Sequence, residues 1–489
     1  MVGESTIDLQ TLSGTDIKWV ETTLGHSPWP ICSRHGDLAT KTGTMLGAQV
    51  VIATGCVTAG DRGGGVFYWD SSGAAADNGG TVIGPITLDP ACLPLPGRWI
   101  RIYDGLLDVR WFGARGDGAT DDTEALQNAL DEVRVRGGSL YFPPGRYIVK
   151  STLDAGASQG IRYMGASSSA RGTSFSEDGS LKQWPTTLVW MGGQAHTDVL
   201  FKWGGSHCIF DGIGFQGGWD SAPNPPGIGF LMYKTTGLGT GKASFPRIQI
   251  SHAAVGFQCA ELRGDDNCDT CNFGRAHFKD CGVGFRVKND QGVAHSFGYA
   301  QFSDTDVCFD IEAGGPLDVQ HLAGGRTPVL LNISGAGLSS AFRFGFITLD
   351  AQQDRRVVWV KHTATGGQDL CYVTIEGGYA DNMQNQGLTN PPIAAFQMGP
   401  RSVLRVRNVT GGMTFGRQST GSPSPLLKLT GTSGRTCSAI FDSCGLDDTN
   451  PSTGAWLILA GSGSTRHRAL RDCHRTSNHT RIATIDATS

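Results

Sequence analysis

The sequence predicts an all-β solenoid, a body built by stacking short strands coil upon coil rather than by folding once around a single core. Three observations carry this. Segments 244–250 (SFPRIQI), 272–278 (NFGRAHF) and 296–302 (SFGYAQF) align without gaps, and each is followed by a turn and a second strand, SHAAVGFQC, KDCGVGFRV and SDTDVCFDI. Glycine supplies 71 of 489 residues, about twice the usual share, as a chain with very many turns requires. One helix is plainly written, and it precedes the repeats instead of alternating with them.

Taken in order, residues 1–45 read as an irregular arm. Its apolar residues, Ile7, Leu9, Ile17, Trp19, Val20 and Trp29, are too many for a disordered tail, so the arm is expected to pack on the body or to attach it to something else. Residues 46–107 read as a small β unit: QVVIATGCV, GDRGGGVFYWD, GGTVIGP and GRWIRIYDG. The glycine run at 60–65 lacks the Gly-Lys-Ser/Thr ending of a phosphate loop and leads into a strand, so a hairpin turn is expected there.

Residues 108–150 hold the helix. Asp121-x-x-Glu124 fits a capping box, and Ala125, Leu126, Ala129, Leu130 and Val133 recur at helical spacing. Gly137-Gly138 stops it, and SLYF-PPG-RYIV reads as strand, tight turn, strand. The order GARGDGATDDTEAL, helix, GGSLYFPPGRYIV resembles the opening of pectate-lyase-superfamily proteins and phage tailspikes. The combination GGGVFYWD…ADNGGTVI…GRWIR resembles a leader unit that often precedes them. The resemblance implies a right-handed, single-stranded parallel β-helix capped by the one N-terminal helix. It implies a homotrimer that binds, and in many members cleaves, a surface polysaccharide. Sites are grafted onto folds, so this stretch names the fold more firmly than the chemistry.

Residues 151–475 are expected to form the β-helix. Equivalent positions then stack ~4.8 Å apart, so that one apolar residue per coil becomes a continuous inner column. The alignment places Phe245, Phe273, Phe297 and Leu317 in one column and Ile250, Phe278, Phe302 and Leu322 in another. Phe257, Phe285 and Phe309 form a third on the following strand. Residues 476–489 read as a short tail.

Several function classes are disfavoured. A net charge of −4 gives no basic field for nucleic acid, and no apolar run is long enough for a membrane-spanning helix. The 13 cysteines sit mostly within apparent strands, where thiols act as small hydrophobes. Cys268-x-x-Cys271 with His277 and Cys281 shows one pair rather than two half-sites, so neither metal nor cofactor is expected.

On the outside, the same alignment puts Gln249, His277, Gln301 and His321 in one column and Arg247, Arg275 and Tyr299 in its neighbour. Arginine clamps carboxylates, glutamine bonds hydroxyls and an aromatic ring gives a sugar face a platform. His277 or Tyr299 is a candidate to take the proton α to a uronate carboxylate, with Arg275 neutralising the acid, as in a polysaccharide lyase. A glycoside hydrolase would instead use paired carboxylates. The candidates are Glu376 with Asp381, the group Asp265, Asp266 and Asp269, and the pair Asp304 and Asp306. The Gly- and Pro-rich insertions 216–243 and 381–393 add Trp219, Tyr233 and Lys234 as candidate ligand contacts. Whether the chain is an enzyme is left open between lyase, glycoside hydrolase and a non-catalytic adhesive or structural appendage. The N-terminus lacks a signal-peptide pattern, so a virion protein joined to tail or neck proteins through residues 1–45 is expected. Secretion from a bacterium by another route is the alternative.

Overall fold

A computed structural model describes residues 18–19, 30–40, 49–85, 96–166, 186–192, 198–217, 227–234, 239–264, 268–335, 340–350, 358–363, 370–380, 395–411, 427–430, 435–446, 457–460, 466–475 and 485–488. The leader is a small sheet in which Gly65–Asp70 lies antiparallel between Val50–Ala53 and Arg98–Ile102. Its hairpin turn is held by the Asp61 carboxylate, which accepts from the backbone N–H groups of Cys56, Val57, Thr58 and Gly63. The glycine run is therefore a turn, as its lack of a phosphate-loop ending implies.

Arg101 binds the leader together from within, and the leader meets the capping segment at Trp111 and Glu132. The Arg101 guanidinium is 4 % exposed and donates to the carbonyls of Gly63, Gly64 and Gly80. It also lies over the rings of Phe67 and Trp111, at 4.7 and 4.5 Å. Glu132, on the helix, accepts from Thr81 Oγ1 at 2.7 Å and Asn78 Nδ2 at 3.0 Å. Carbonyls replace the water that a buried cation would otherwise lose.

The helix spans Thr123–Arg136 and buries Leu126, Ala129, Leu130 and Val133. Its start differs from the capping box read from the sequence. Asp121 accepts from the Thr123 N–H and hydroxyl, and the buried Asp122 carboxylate turns back to the amides of Arg115 and Gly116. The preceding turn presents two unpaired N–H groups, and satisfying them outweighs a cap bond. Burial lifts Asp122 to about 6 despite those amides. Ser139–Phe142 and Gly145–Val149 pair with later strands, so the PPG turn is a corner of the first coil.

From there the chain alternates between two parallel sheets. The long sheet takes Ile209–Gln216, Ser244–Ser251, Asn272–Lys279, His295–Ser303, Leu317–Gly325 and Ser340–Asp350 in succession. An 11-stranded sheet takes the second strand of each coil, among them Val255–Cys259, Val283–Val287 and Val307–Ile311. This is the right-handed parallel β-helix. Ile485–Thr488, in the stretch expected as a tail, runs antiparallel along Arg466–Arg471.

The core is a stack of rings. Phe210, Phe245, Phe273 and Phe297 stack at 5.3, 4.7 and 4.3 Å between successive centroids, and Phe230, Phe257 and Phe285 at 4.8 and 5.4 Å. Each buried ring is worth ~1.5–3 kcal/mol of transfer free energy. The repeated glycine of the second strand makes room for them: a Cβ at Gly256 would sit 2.9 Å from the Phe278 ring, and one at Gly284 2.4 Å from Phe302.

Two of the columns read from the sequence need correction. Phe297 pairs with Val319 rather than Leu317, and Phe302 with Gly324 rather than Leu322. The strand Leu317–Gly325 is shifted by two residues relative to the gapless alignment. A shift of two keeps the faces of strictly alternating residues, and only the bend betrays it here: the gapless alignment would set buried Val319 against outward Tyr299 and exposed Gln320 against buried Ala300.

At the turn after the long strand of successive coils a non-glycine residue adopts the left-handed conformation: His252, Asp280, Asp304 and Arg326 have φ between 50° and 55°. The N–H groups of the first three donate to the carbonyls of Lys279, Ser303 and Gly325 on the next coil. That ladder of hydrogen bonds offsets the backbone cost.

Candidate functional site

The long strands bend where two consecutive residues face outward. In Asn272–Lys279, Phe273 and Ala276 are both buried, leaving Gly274 and Arg275 outside between them. The same bend recurs at Gly298-Tyr299 and Gln320-His321. Register then builds an outer column of Asp211, Arg247, Arg275, Tyr299, His321 and Phe346. The corrected register moves His321 into this column, beside Tyr299, and out of the column of Gln249, His277 and Gln301, where Ala323 takes its place.

Four of these side chains form a continuous stair. The Arg275 guanidinium lies 5.0 Å over the Tyr299 ring, Tyr299 and His321 are 5.1 Å apart at 47°, and His321 and Phe346 are 5.4 Å apart at 60°. Thr348 Oγ1 lies 3.3 Å from His321 Nε2, and Phe346 is 44 % exposed. Below them, Asp211 holds Arg247 through two contacts of 2.7 and 2.8 Å.

Beside the stair runs a strip of bare backbone, Gly274, Gly298 and Gly345, interrupted by Gln320. A Cβ at Gly274, Gly298 or Gly345 would come within 2.7–2.9 Å of a carbonyl on the preceding coil, which explains the glycines. The far side of the strip is lined by Asn272, Ser296, Asp318 and Arg343, again in register. The result is a shallow trough along the solenoid axis, with an aromatic wall and a hydrogen-bonding wall.

At one end of the trough Arg343 joins two acids, Asp318 at 3.0 Å and Glu376 through contacts of 3.1 and 2.7 Å. Those hydrogen bonds hold the Glu376 carboxyl below its usual range and raise Arg343 further. Glu376 is thus an ionised partner at neutral pH, suited to accepting hydroxyl hydrogen bonds and poorly suited to donating a proton.

The other sequence candidates fall elsewhere. Gln249 and His277 are 7 % and 4 % exposed. Gln301 is partly buried, and His277 Nε2 lies 3.1 Å from Ser303 Oγ. Burial, then Lys279 and Arg275, lowers His277 to about 3, so the reachable imidazole of this face is His321. Tyr233 stands off the second sheet, donating to Asp154 at 2.8 Å beneath Lys202, with exposed Lys234 next to it; neither lies in the trough. Trp219, Asp265, Asp266 and Asp381 lie outside the described residues. Cys271 packs on Met232 in the core, away from the outer column of His277, and among the described residues no group of three or more His, Cys, Asp or Glu could hold a metal.

Phe346, Arg343 and Asp318 were not among the sequence candidates. Their segments, PLDVQHL and AFRFGFI, do read as degenerate repeats, and correct register would have placed them on the trough.

Residues 32–104 match the family model of the phage tail protein small four-stranded beta-sheet domain, and residues 106–187 match that of rhamnogalacturonase A/epimerase, pectate lyase-like. Among solved structures, the Acinetobacter phage vb_AbaP_AS12 gp42 tailspike aligns over 93 % of this chain and 76 % of its own, at 11 % identity and TM-score 0.54. The tailspike gp49 of Acinetobacter baumannii bacteriophage Fri1, a capsular polysaccharide depolymerase, covers 88 % of this chain and 74 % of its own at 15 % identity and TM-score 0.49. Alginate lyase 7 of Azotobacter vinelandii is 51 % identical over 49 residues, 10 % of this chain and 6 % of the lyase. The chain spans only 5–7 % of the length of the first curated relatives it matches. In fold, then, this protein is a tailspike-like right-handed parallel β-helix of the pectate-lyase kind, led by a phage-tail-like small β-sheet.

Proposed function

We propose that the protein is a tailspike-like virion component that binds a cell-surface polysaccharide along the axial trough. The stair Arg275–Tyr299–His321–Phe346 beside a strip of bare backbone is the observation that carries this reading. Tyr299 and Phe346 give apolar sugar faces a platform, Arg275 suits a uronate or other acidic substituent, and Asp318 and Arg343 suit hydroxyls. The match of residues 32–104 to a phage-tail domain supports the virion setting. Assembly as a homotrimer, and attachment to tail or neck proteins through residues 1–45, belong to the same proposal.

If the trough turns substrate over, β-elimination fits it better than hydrolysis. Tyr299 and His321 are adjacent proton-transfer groups one step from the Arg275 cation, whereas Asp318 and Glu376 are both engaged by Arg343, whose hydrogen bonds keep Glu376 ionised. The test is incubation with capsular, lipopolysaccharide and uronate polymers while following ultraviolet absorbance of unsaturated uronate and release of reducing ends. Rising absorbance indicates elimination, reducing ends alone indicate hydrolysis, and binding without either indicates an adhesin. Failure of the double variant R275A/Y299A to weaken binding to a polymer that the wild type retains would remove the trough from the proposal.

A further inference from the structure

Outside the trough, one column of small side chains repeats at the turn between the two sheets. On several coils the residue after the left-handed turn residue reaches two carbonyls, one two residues back and one on the preceding coil. Cys281 approaches the carbonyls of Lys279 and Ile250, and Thr305 those of Ser303 and Phe278. Further along, Cys444 approaches Asp442 and Val406, and Cys473 approaches Arg471 and Phe441. A thiol or hydroxyl therefore serves the turn equally well, and most coils use a single one.

Cys444 and Cys473 differ because they occupy this position on successive coils. Ser443 and Asp472 are the left-handed residues before them, Asp442 pairs with Arg471, and Gly445 pairs with His474. One axial step of ~4.8 Å separates equivalent Cα atoms of such coils, inside the range that a disulfide spans. The two thiols also act on each other's titration in opposite directions, Cys444 raised and Cys473 lowered.

We propose that Cys444 and Cys473 are a built disulfide site, closed by a peroxide when the chain leaves a reducing compartment. Cys473 is the attacking sulfur. The neighbouring Cys444 thiol lowers Cys473 to about 7, while the Cys444 proton is held more tightly. The Cys473 thiolate attacks one peroxide oxygen, the O–O bond breaks, and hydroxide leaves with the proton that Cys473 gave up, as water. The resulting sulfenic acid is attacked by the Cys444 sulfur; the S–O bond breaks, the S–S bond forms, and the Cys444 proton leaves on the hydroxide as a second water. Two thiols are oxidised and one peroxide is reduced. The bond ties two neighbouring coils together without moving the turn, whose hydrogen bonds already hold both sulfurs in place.

The experiment uses the full chain, incubated with hydrogen peroxide in two arms, in buffer and just below the denaturant midpoint, where buried thiols open to solvent. Remaining thiols are then alkylated in denaturant and peptides are read by mass spectrometry. The expected product is one linked peptide joining Cys444 to Cys473, lighter by two hydrogens, reversed by reductant and missing in C473S. Cys281, flanked in its column by Ala253 and Thr305, should remain a single alkylatable thiol, and the oxidised chain should melt several degrees above the reduced one. Alkylation of both Cys444 and Cys473 in both arms, over-oxidation without linkage, or pairing of either with another cysteine would overturn the proposal.

Discussion

Two aromatic stacks run along the same solenoid with nearly the same spacing, and they have opposite uses. Inside, Phe245, Phe273 and Phe297 stack at 4.7 and 4.3 Å with rings almost parallel and no exposure. Outside, Tyr299, His321 and Phe346 follow one another at 5.1 and 5.4 Å, tilted, with Phe346 44 % exposed. The coil repeat produces both, because any ring repeated at one position meets its copy on the next coil. The inner stack has satisfied all its contacts and can only stabilise. The outer one keeps a face toward solvent and can recognise.

If that division holds, substitutions on the two stacks should separate stability from binding. The largest effect is expected from F273A, which removes a ring packed between two others and leaves a cavity that the neighbouring coils cannot close. A loss of about 3–5 kcal/mol is expected in denaturant unfolding, and glycan retention should fail only because the fold fails. A midpoint unchanged from wild type would mean the inner stack is not a rigid unit.

Acid should find the same interior. His295 is buried against the Phe285 ring, where only the backbone of Cys268 offsets the burial of its imidazole. Burial lowers it from 6.5 to about 4. Its folded-state pKa is depressed, so the unfolded chain binds the extra proton first. Stability is therefore undiminished above pH ~6.5 and falls as pH drops toward ~4, by roughly 3 kcal/mol for this one group. His277 and His362 shift in the same direction. Replacing His295 with Leu should flatten the acid limb of a stability–pH curve; an unchanged slope would assign acid lability to other groups.

These cases also show what could be read in advance. The inner stack was legible because SFPRIQI, NFGRAHF and SFGYAQF repeat a large ring at a fixed place, and burial demands it. The trough was only half legible. Arg275 and Tyr299 were found, but His277 was placed on the surface although its neighbours bury it, and Phe346 and Arg343 were missed. Outer positions obey no volume constraint, so their repeats drift, and a register shift of two residues shows only at the bend, where two consecutive residues face outward. The helix start failed for a local reason, since the amides of Arg115 and Gly116 compete for Asp122.

Smaller stability effects are expected on the trough, with the change appearing in binding. Y299A removes a half-buried ring from a solvated face, so unfolding should move by no more than about 1 kcal/mol while retention of a bound polymer falls at least about tenfold. Y299F separates the ring from its hydroxyl. Retained binding with lost turnover would assign proton transfer to that hydroxyl, and retained turnover would leave His321 as the base.

The smallest effect should come from R343A. Arg343 is an exposed ion pair with Asp318 and Glu376, and such pairs contribute within about 0.5 kcal/mol. What should change is titration. Glu376 is held below its usual range mainly by hydrogen bonds from Arg343, so its apparent pKa should rise in the variant when followed by carboxyl NMR. If the trough recognises its ligand partly through this pair, R343A should also soften the salt dependence of binding while leaving the Tyr299 contribution intact. Additivity of R343A and Y299A in a double-variant cycle would mean that the two walls bind independently. A coupling energy beyond about 0.5 kcal/mol would mean that one sugar unit touches both.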